Sequence, residues 1–209
     1  MIGEFARQGS LNASAAIPVN DHDFPSAAKG KAIPYGIYDV RENRAYITIG
    51  TSHDTSEFAS DNVLYCWNKY LRHHYANASA ILLLCDAGGS NHCRHHLVKE
   101  DFQRIADAIG IPIRFAHYPT YCSKYNPIEH RVFPHLSRAC SGAVFRSVEV
   151  VEERIAKTTT STGLSVNVRT NRKEYKTKRT IAHDFHHTKN ITPDPHLGQW
   201  NYVIYPRKI

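Results

Sequence analysis

The sequence predicts an α/β fold in which a mixed sheet is flanked by helices. Two segments with alternating apolar residues, KAIPYGIYDV and RAYITIGT, are joined by Arg41-Glu42-Asn43 and predict a hairpin. The uninterrupted apolar run ILLLC at 81–85 is typical of a strand buried on both faces of a sheet. Segments with apolar residues at helical spacing lie on both sides of this run, so strands and helices should alternate.

After the hairpin, DTSE predicts a helix start at which Asp54 and Glu57 form a capping box. That helix carries an apolar stripe of Ala59, Val63, Trp67 and Tyr70. A second helix follows the run at 81–85 and should stop at Gly110; its apolar face is Val98, Phe102, Ile105 and Ile109. The later segments predict, in order, a strand (IPIRFAHYP), two helices (NPIEHRVFPHL and SVEVVEERIAK) and a short strand (WNYVIYP).

We therefore expect an irregular N-terminal segment at 1–30, a core at 31–157 and a basic C-terminal extension at 158–209 that ends in a short strand. The chain of 209 residues has a net charge of +7, which favours a polyanionic partner such as DNA. It has no apolar run of membrane-spanning length and no signal peptide, so we expect no membrane partner. Its 5 cysteines are irregularly spaced, which indicates reduced thiols in a cytoplasm.

Asp86 ends the apolar run and is followed by Gly88 and Gly89. A carboxylate is costly to bury unless it is paired or binds a cation, and ligand sites in α/β sheets lie at the carboxyl ends of strands. Asp86 is therefore a candidate metal ligand. A simple turn at the end of a strand explains the same residues, and this stretch alone does not decide between the two.

Glu129 is the second candidate carboxylate. Asn126 is a good helix N-cap, Pro127 suits the first helical position and Glu129 falls at the third. The spacing alone favours a capping box, in which Glu129 would have a purely structural role.

The order of several motifs resembles one family. The motifs are HDFP (22–25), GKAIPYGIYD (30–39), GTSHDT (50–55), DAGGSN (86–91), SKYNPIEHR (123–131), TTTSTGL (158–164) and GQWNY (198–202). Together they resemble the catalytic domain of bacterial insertion-sequence transposases of the ISAzo-thirteen type, over about residues 2–204. The resemblance implies a ribonuclease H-like fold in which Asp86 and Glu129, about 40 residues apart, are the second and third members of a DDE triad.

The resemblance also implies metal-dependent nicking and strand transfer of DNA, at the ends of a mobile element and at its target. Two Mg²⁺ (or Mn²⁺) ions would be held by Asp86 and Glu129, since hard cations prefer carboxylate oxygens. We expect self-association and a location in the bacterial cytoplasm, at the nucleoid.

The triad is incomplete in these residues. The family's first aspartate lies on the first strand, in a segment resembling SVDTKKKE, and the sequence begins with residues that follow it. We expect a sheet without its first strand, whose neighbouring strands lose backbone partners, and a truncated chain that is inactive as given. Asp39 at a hairpin turn, Asp54 at a helix cap, and Asp21 and Asp23 before the sheet are poor replacements.

The segment RTNRKEYKTKRT at 169–180 is strongly basic. Such a run favours phosphate contacts that position DNA without reading its sequence, although a solvated loop would also explain it. The candidate DNA-binding residues are Lys124, Arg172, Lys173, Lys176 and Lys178.

Other readings are weaker. The cluster His92, Cys93, His95 and His96 matches no closed zinc site, and neither do the histidines at 183–196. A thiol hydrolase built on Cys122, with His117 or His130, has no identifiable oxyanion hole. The alternative function is that of a non-catalytic DNA-binding protein that interferes with an intact transposase.

Overall fold

A computed structural model of the chain describes residues 1–10, 12–86, 96–119 and 121–207. The chain divides into two compact units. Unit 1 contains Met1–His53 and Pro127–Glu174, and unit 2 contains Asp54–Asn126 and Tyr175–Ile209. No helix within the described ranges is long and apolar enough to cross a membrane.

Unit 1 contains a mixed three-stranded sheet and three helices. The strands are β1 (Ile33–Asp39), β2 (Arg44–Gly50) and β5 (Ser165–Asn171), and the helices are α4 (Pro127–Arg131), α5 (Phe133–Ala139) and α6 (Val148–Ala156). The sheet order is β1-β2-β5, with β1 antiparallel and β5 parallel to β2. The predicted hairpin is confirmed, whereas β5 lies in a stretch for which the sequence predicted no strand.

The core of unit 1 forms around β2 because this central strand is covered along nearly its whole length. Its buried residues Ala45, Ile47 and Ile49 belong to one apolar cluster with Leu136 of α5 and Val151 of α6. The helix predicted from SVEVVEERIAK is present as α6, and it buries its apolar face against this cluster.

Unit 2 contains a mixed four-stranded sheet with helices. The strands are β3 (Ile81–Cys85), β4 (Ile113–His117), β6 (Ile191–Pro193) and β7 (Asn201–Ile204), and the helices are α1 (Ser56–Cys66), α2 (Arg72–His74), α3 (His96–Ile109) and α7 (Phe185–Thr188). A π-helical turn, Trp67–Leu71, joins α1 to α2. The sheet order is β3-β4-β7-β6, in which only the β3–β4 pair is parallel.

Aromatic packing joins α3 to the sheet of unit 2. The ring of Phe102 on α3 meets Phe115 of β4 edge-on at 4.8 Å, and Phe115 stacks on Tyr202 of β7 at 5.0 Å. The helix ends where predicted, since Gly110 adopts φ +82° and its N–H donates to the carbonyl of Ala106 at 2.9 Å.

The cap of α1 differs from the prediction. Thr55, not Asp54, is the N-cap, and its hydroxyl accepts a hydrogen bond from the N–H of Phe58 at 3.1 Å. The Asp54/Glu57 capping box is therefore wrong, because the threonine one residue later occupies the capping position.

Each sheet ends at a strand with an open edge among the described residues: β1 in unit 1 and β3 in unit 2. The N–H of Ile81 donates toward β4, to the carbonyl of Pro112 at 2.9 Å. Because residues of a parallel strand alternate between its two neighbours, the peptide groups of Leu82 and Leu84 point away from β4. Leu82 and Leu84 are 57% and 40% exposed, so the expectation that this strand is buried on both faces is wrong. The predicted α/β fold, with helices flanking mixed strands, is confirmed. The strands form two sheets, whereas the sequence predicted one.

Candidate active site

Asp86 follows β3 directly, at the carboxyl end of the parallel pair β3–β4. Its neighbour Cys85 is in register with His117, the last residue of β4. His117 is buried, and its Nδ1 lies 2.7 Å from the carbonyl oxygen of Trp200. Because a carbonyl only accepts hydrogen bonds, Nδ1 carries a proton and the orientation of the ring is fixed. The strand ends thus bring a carboxylate and an imidazole to one edge of the sheet, as expected for a site at this position.

The electrostatics of Asp86 indicate a second carboxylate nearby. Burial raises the pKa of Asp86; a backbone hydrogen bond and the charge of His117 oppose the rise, while the negative charge of Asp54 adds to it. Asp54 is exposed and precedes the N-cap of α1. Sequence reasoning set Asp54 aside because it assigned this residue to a helix cap; the GTSHDT motif was the available signal that Asp54 accompanies Asp86.

The thiol of Cys85, at the end of β3, is partly buried. Burial and the nearby charge of Asp86 raise its pKa to about 12, so it stays protonated and unreactive near neutral pH.

Glu129 lies in the first turn of α4 and is partly buried. The capping-box interpretation is wrong, because the N–H of Asn126, which Glu129 would have to bind, donates to the carbonyl of Ser123 at 2.8 Å. The side chain of Glu129 makes no hydrogen bond or ion pair with the other described residues. Asp86 belongs to unit 2 and Glu129 to unit 1, and their expected proximity stays a prediction.

The candidate DNA-binding residues have different surroundings. Arg172 is exposed but forms an ion pair with Glu149 of α6. Lys173, Lys176 and Lys178 are exposed. Lys124 is also exposed, with its Nζ 5.2 Å from the ring centroid of Tyr125.

The basic stretch is not simply a solvated loop. Tyr175 is buried, its hydroxyl lies 3.1 Å from Oδ2 of Asp61, and its ring meets Phe58 edge-on at 5.4 Å. Arg179 forms ion pairs with Asp101 and Glu57. Tyr175 and Arg179 of the basic stretch therefore make stabilising contacts within unit 2.

The remaining candidate metal sites have little support. Gly88, Gly89 and the cluster His92, Cys93 and His95 lie outside the described residues. In the part of the chain that the structure describes, Asp21, His22 and Asp23 form the one group of three metal-type side chains within 4.8 Å of one another. All three are exposed, and His22 already forms ion pairs with both aspartates.

Comparison with known proteins assigns the family. A family model described as "Rhodopirellula transposase DDE domain" matches residues 1–206, nearly the whole chain. No curated protein and no solved structure matches the chain. The family match confirms the resemblance to insertion-sequence DDE transposases that the motifs predict.

Proposed function

Since the chain belongs to the family of Rhodopirellula transposase DDE domains, we propose that it contributes the second and third carboxylates of a DNA transposase, Asp86 and Glu129. The observation that carries this proposal is the position of Asp86 directly after β3, at the carboxyl end of a parallel strand pair. The lack of a capping bond between Glu129 and Asn126 supports it, because it leaves the Glu129 carboxylate without its main structural explanation.

The residues fit a hard divalent cation. Burial and the charge of Asp54 both raise the pKa of Asp86, and a cation beside these carboxylates would relieve both costs. Carboxylate oxygens suit Mg²⁺ and Mn²⁺. Asp86 and Glu129 would hold the metal, which supplies charge stabilisation and an activated oxygen nucleophile when bound.

The DNA would be held by cationic side chains that contact phosphates. Lys124, Lys173, Lys176 and Lys178 are exposed, as phosphate contacts require. Arg172 has a weaker claim because Glu149 already neutralises it in this structure. The DNA partners would be the ends of the mobile element and its target, in the bacterial cytoplasm at the nucleoid.

We further propose that these 209 residues do not nick DNA on their own. They supply two of the three expected carboxylates, and positioning and charge stabilisation account for most catalysis of phosphoryl transfer.

A nicking assay with Mg²⁺ or Mn²⁺ tests the function. The substrate carries the element's ends, and the chain is compared with one extended upstream through the VDT-like segment. We expect activity only in the extended chain, abolished there by Asp86→Ala. Metal-dependent nicking by the 209 residues, lost in Asp86→Ala, would overturn the proposed inactivity. An extended chain whose nicking survives Asp86→Ala would overturn the assignment of the carboxylate.

The second candidate function is that of a non-catalytic DNA-binding protein that interferes with an intact transposase. The exposed lysines favour it. Such a protein would interfere by binding the element's ends or the subunits of the intact enzyme, and we propose that the chain also self-associates.

A further inference from the structure

Unit 1 contains a groove of about 890 Å³ that the proposed chemistry does not use. Its floor consists of apolar side chains: Ile49, Leu136, Phe145, Val151 and Ile155. The volume is within the range of ligand-binding clefts. An apolar groove of this size favours an occupant with a large apolar group.

Arg7 places a positive charge on the wall of the groove. Its guanidinium stacks 3.5 Å from the ring centroid of Phe145, and Nη2 donates to the carbonyl of Met1 at 3.1 Å. Its Nε is buried without an acceptor, and the side chains that line the groove include no carboxylate. Because a partly buried charge without a counter-ion is costly, the groove favours an anionic occupant.

The same unit presents a segment with both properties. Asp21 and Asp23 are exposed, and the adjacent Phe24 is 59% exposed. His22 contacts Oδ1 of each aspartate, so Oδ2 of each stays available. The backbone before the segment is held in place, because Asn20 donates to the carbonyl of Glu4 at 2.7 Å. An exposed aromatic ring is thus held on the surface directly after two exposed carboxylates.

We infer that the groove of one copy receives the Asp21–Phe24 segment of a second copy. Phe24 fills the apolar floor, and a carboxylate of Asp21 or Asp23 pairs with Arg7. The segment does not fill the groove of its own chain, since Phe24 is exposed and Arg7 has no carboxylate partner among the described residues. The contact is heterologous, because groove and segment are different surfaces. This inference deepens the self-association proposed above and does not depend on metal chemistry.

Sedimentation of the full chain over a range of concentrations tests the contact. Phe24→Ala removes the ring, and Ser137→Trp adds bulk at the exposed rim of the groove. Each should weaken self-association at least about tenfold, as loss of an interface anchor does. Leu197→Ala is the matched control, since Leu197 is 55% exposed and lies in unit 2; it should have no effect.

A charge exchange gives the sharper readout. Arg7→Glu alone, and Asp21→Arg with Asp23→Arg alone, should each abolish association, whereas an equimolar mixture of the two variants should form oligomers that contain both variants. Wild-type chain that stays monomeric overturns the inference, and so does association that survives both Phe24→Ala and Ser137→Trp. If Arg7→Glu fails to fold, Phe24→Ala and Ser137→Trp still test whether the segment binds in the groove. None of these sedimentation experiments uses DNA. A negative sedimentation result therefore does not bear on the nicking assay, and a negative nicking assay does not bear on self-association.

Discussion

The N–H of Asn126 donates to the carbonyl of Ser123 at 2.8 Å, although a capping box would direct it to the carboxylate of Glu129. The tight turn Ser123–Tyr125 before α4 therefore replaces the side-chain cap that the sequence suggests. Because the N–H of Asn126 is already bonded, Glu129 has no capping role, and its carboxylate is available for a role in the chemistry.

We expect Glu129→Gln to change the free energy of unfolding by no more than about 0.5 kcal/mol, since no capping bond is lost. In the upstream-extended chain the same change should abolish nicking. Urea unfolding and the nicking assay check the two halves, with Glu153→Gln on α6 as the control. A loss of stability of more than about 1 kcal/mol would restore the capping role.

Neutralising Lys173, Lys176 and Lys178 together should reduce the salt dependence of DNA binding. Each phosphate contact adds about 0.9 to the slope of log K against log salt, so the slope should fall by about 2 to 3. Arg172→Gln should change it less, because Glu149 already pairs with Arg172. Fluorescence titrations at several salt concentrations measure this, and an unchanged slope in the triple variant would exclude these lysines as the contact surface.

Gly36→Ala should destabilise unit 1. A Cβ atom at Gly36 would lie 2.9 Å from Cδ1 of Ile128 and 3.1 Å from Cε1 of Phe133, and overpacking of this kind costs about 1–3 kcal/mol. Gly30→Ala is the control, because a Cβ there meets nothing within 4 Å. Thermal unfolding of both variants compares them, and equal melting temperatures would refute close packing of α4 and α5 on β1.

The pair of Asp107 and Arg207 should make stability depend on pH. Burial raises the pKa of Asp107, but hydrogen bonds from Arg207 and Gln103 and the charge of Arg207 outweigh this and lower it. Nη2 of Arg207 lies 2.6 Å from Oδ2 of Asp107. Because the folded-state pKa is depressed below 3.8, the stabilisation is present above about pH 4 and is lost as the pH falls through the folded value.

Asp107→Asn should therefore cost about 1 kcal/mol at pH 7, after allowance for solvent screening. The difference from wild type should shrink below pH 4. Urea unfolding from pH 3 to pH 7 measures it, and a double-mutant cycle with Arg207→Gln isolates the coupling. A difference that is constant with pH would show that the charge of Asp107 contributes nothing.

Much of the fold follows from local patterns. The hairpin, the strand at 81–85, the apolar face of α3 and its stop at Gly110 all come from periodicity and turn chemistry, which act over short distances. β5 could not be found in this way. Its residues Ser165–Asn171 are largely polar, and they form a strand because β2 offers a parallel partner more than 100 residues away in the sequence.

The candidate site was predictable only in part. Asp86 is a candidate because a lone carboxylate after an apolar strand is a conspicuous pattern, and the structure places it at the carboxyl end of a parallel strand pair; its role stays a prediction. The cap of α1 was placed at Asp54 because two adjacent residues, Asp54 and Thr55, can both cap a helix, and only the three-dimensional structure tells which one does. Likewise, the ion pairs of Arg172 and Arg179 join distant residues, so a basic run in the sequence overstates the positive charge available to DNA.

The open edge of β3 has a practical consequence for handling the protein. Five apolar residues with no charge, proline or bulge form an edge strand whose outward peptide groups can pair with any extended chain. Such an edge promotes sheet-to-sheet precipitation. We therefore expect the chain to accumulate as insoluble material when overproduced, and a lysine in place of the exposed Leu82 to keep it in solution.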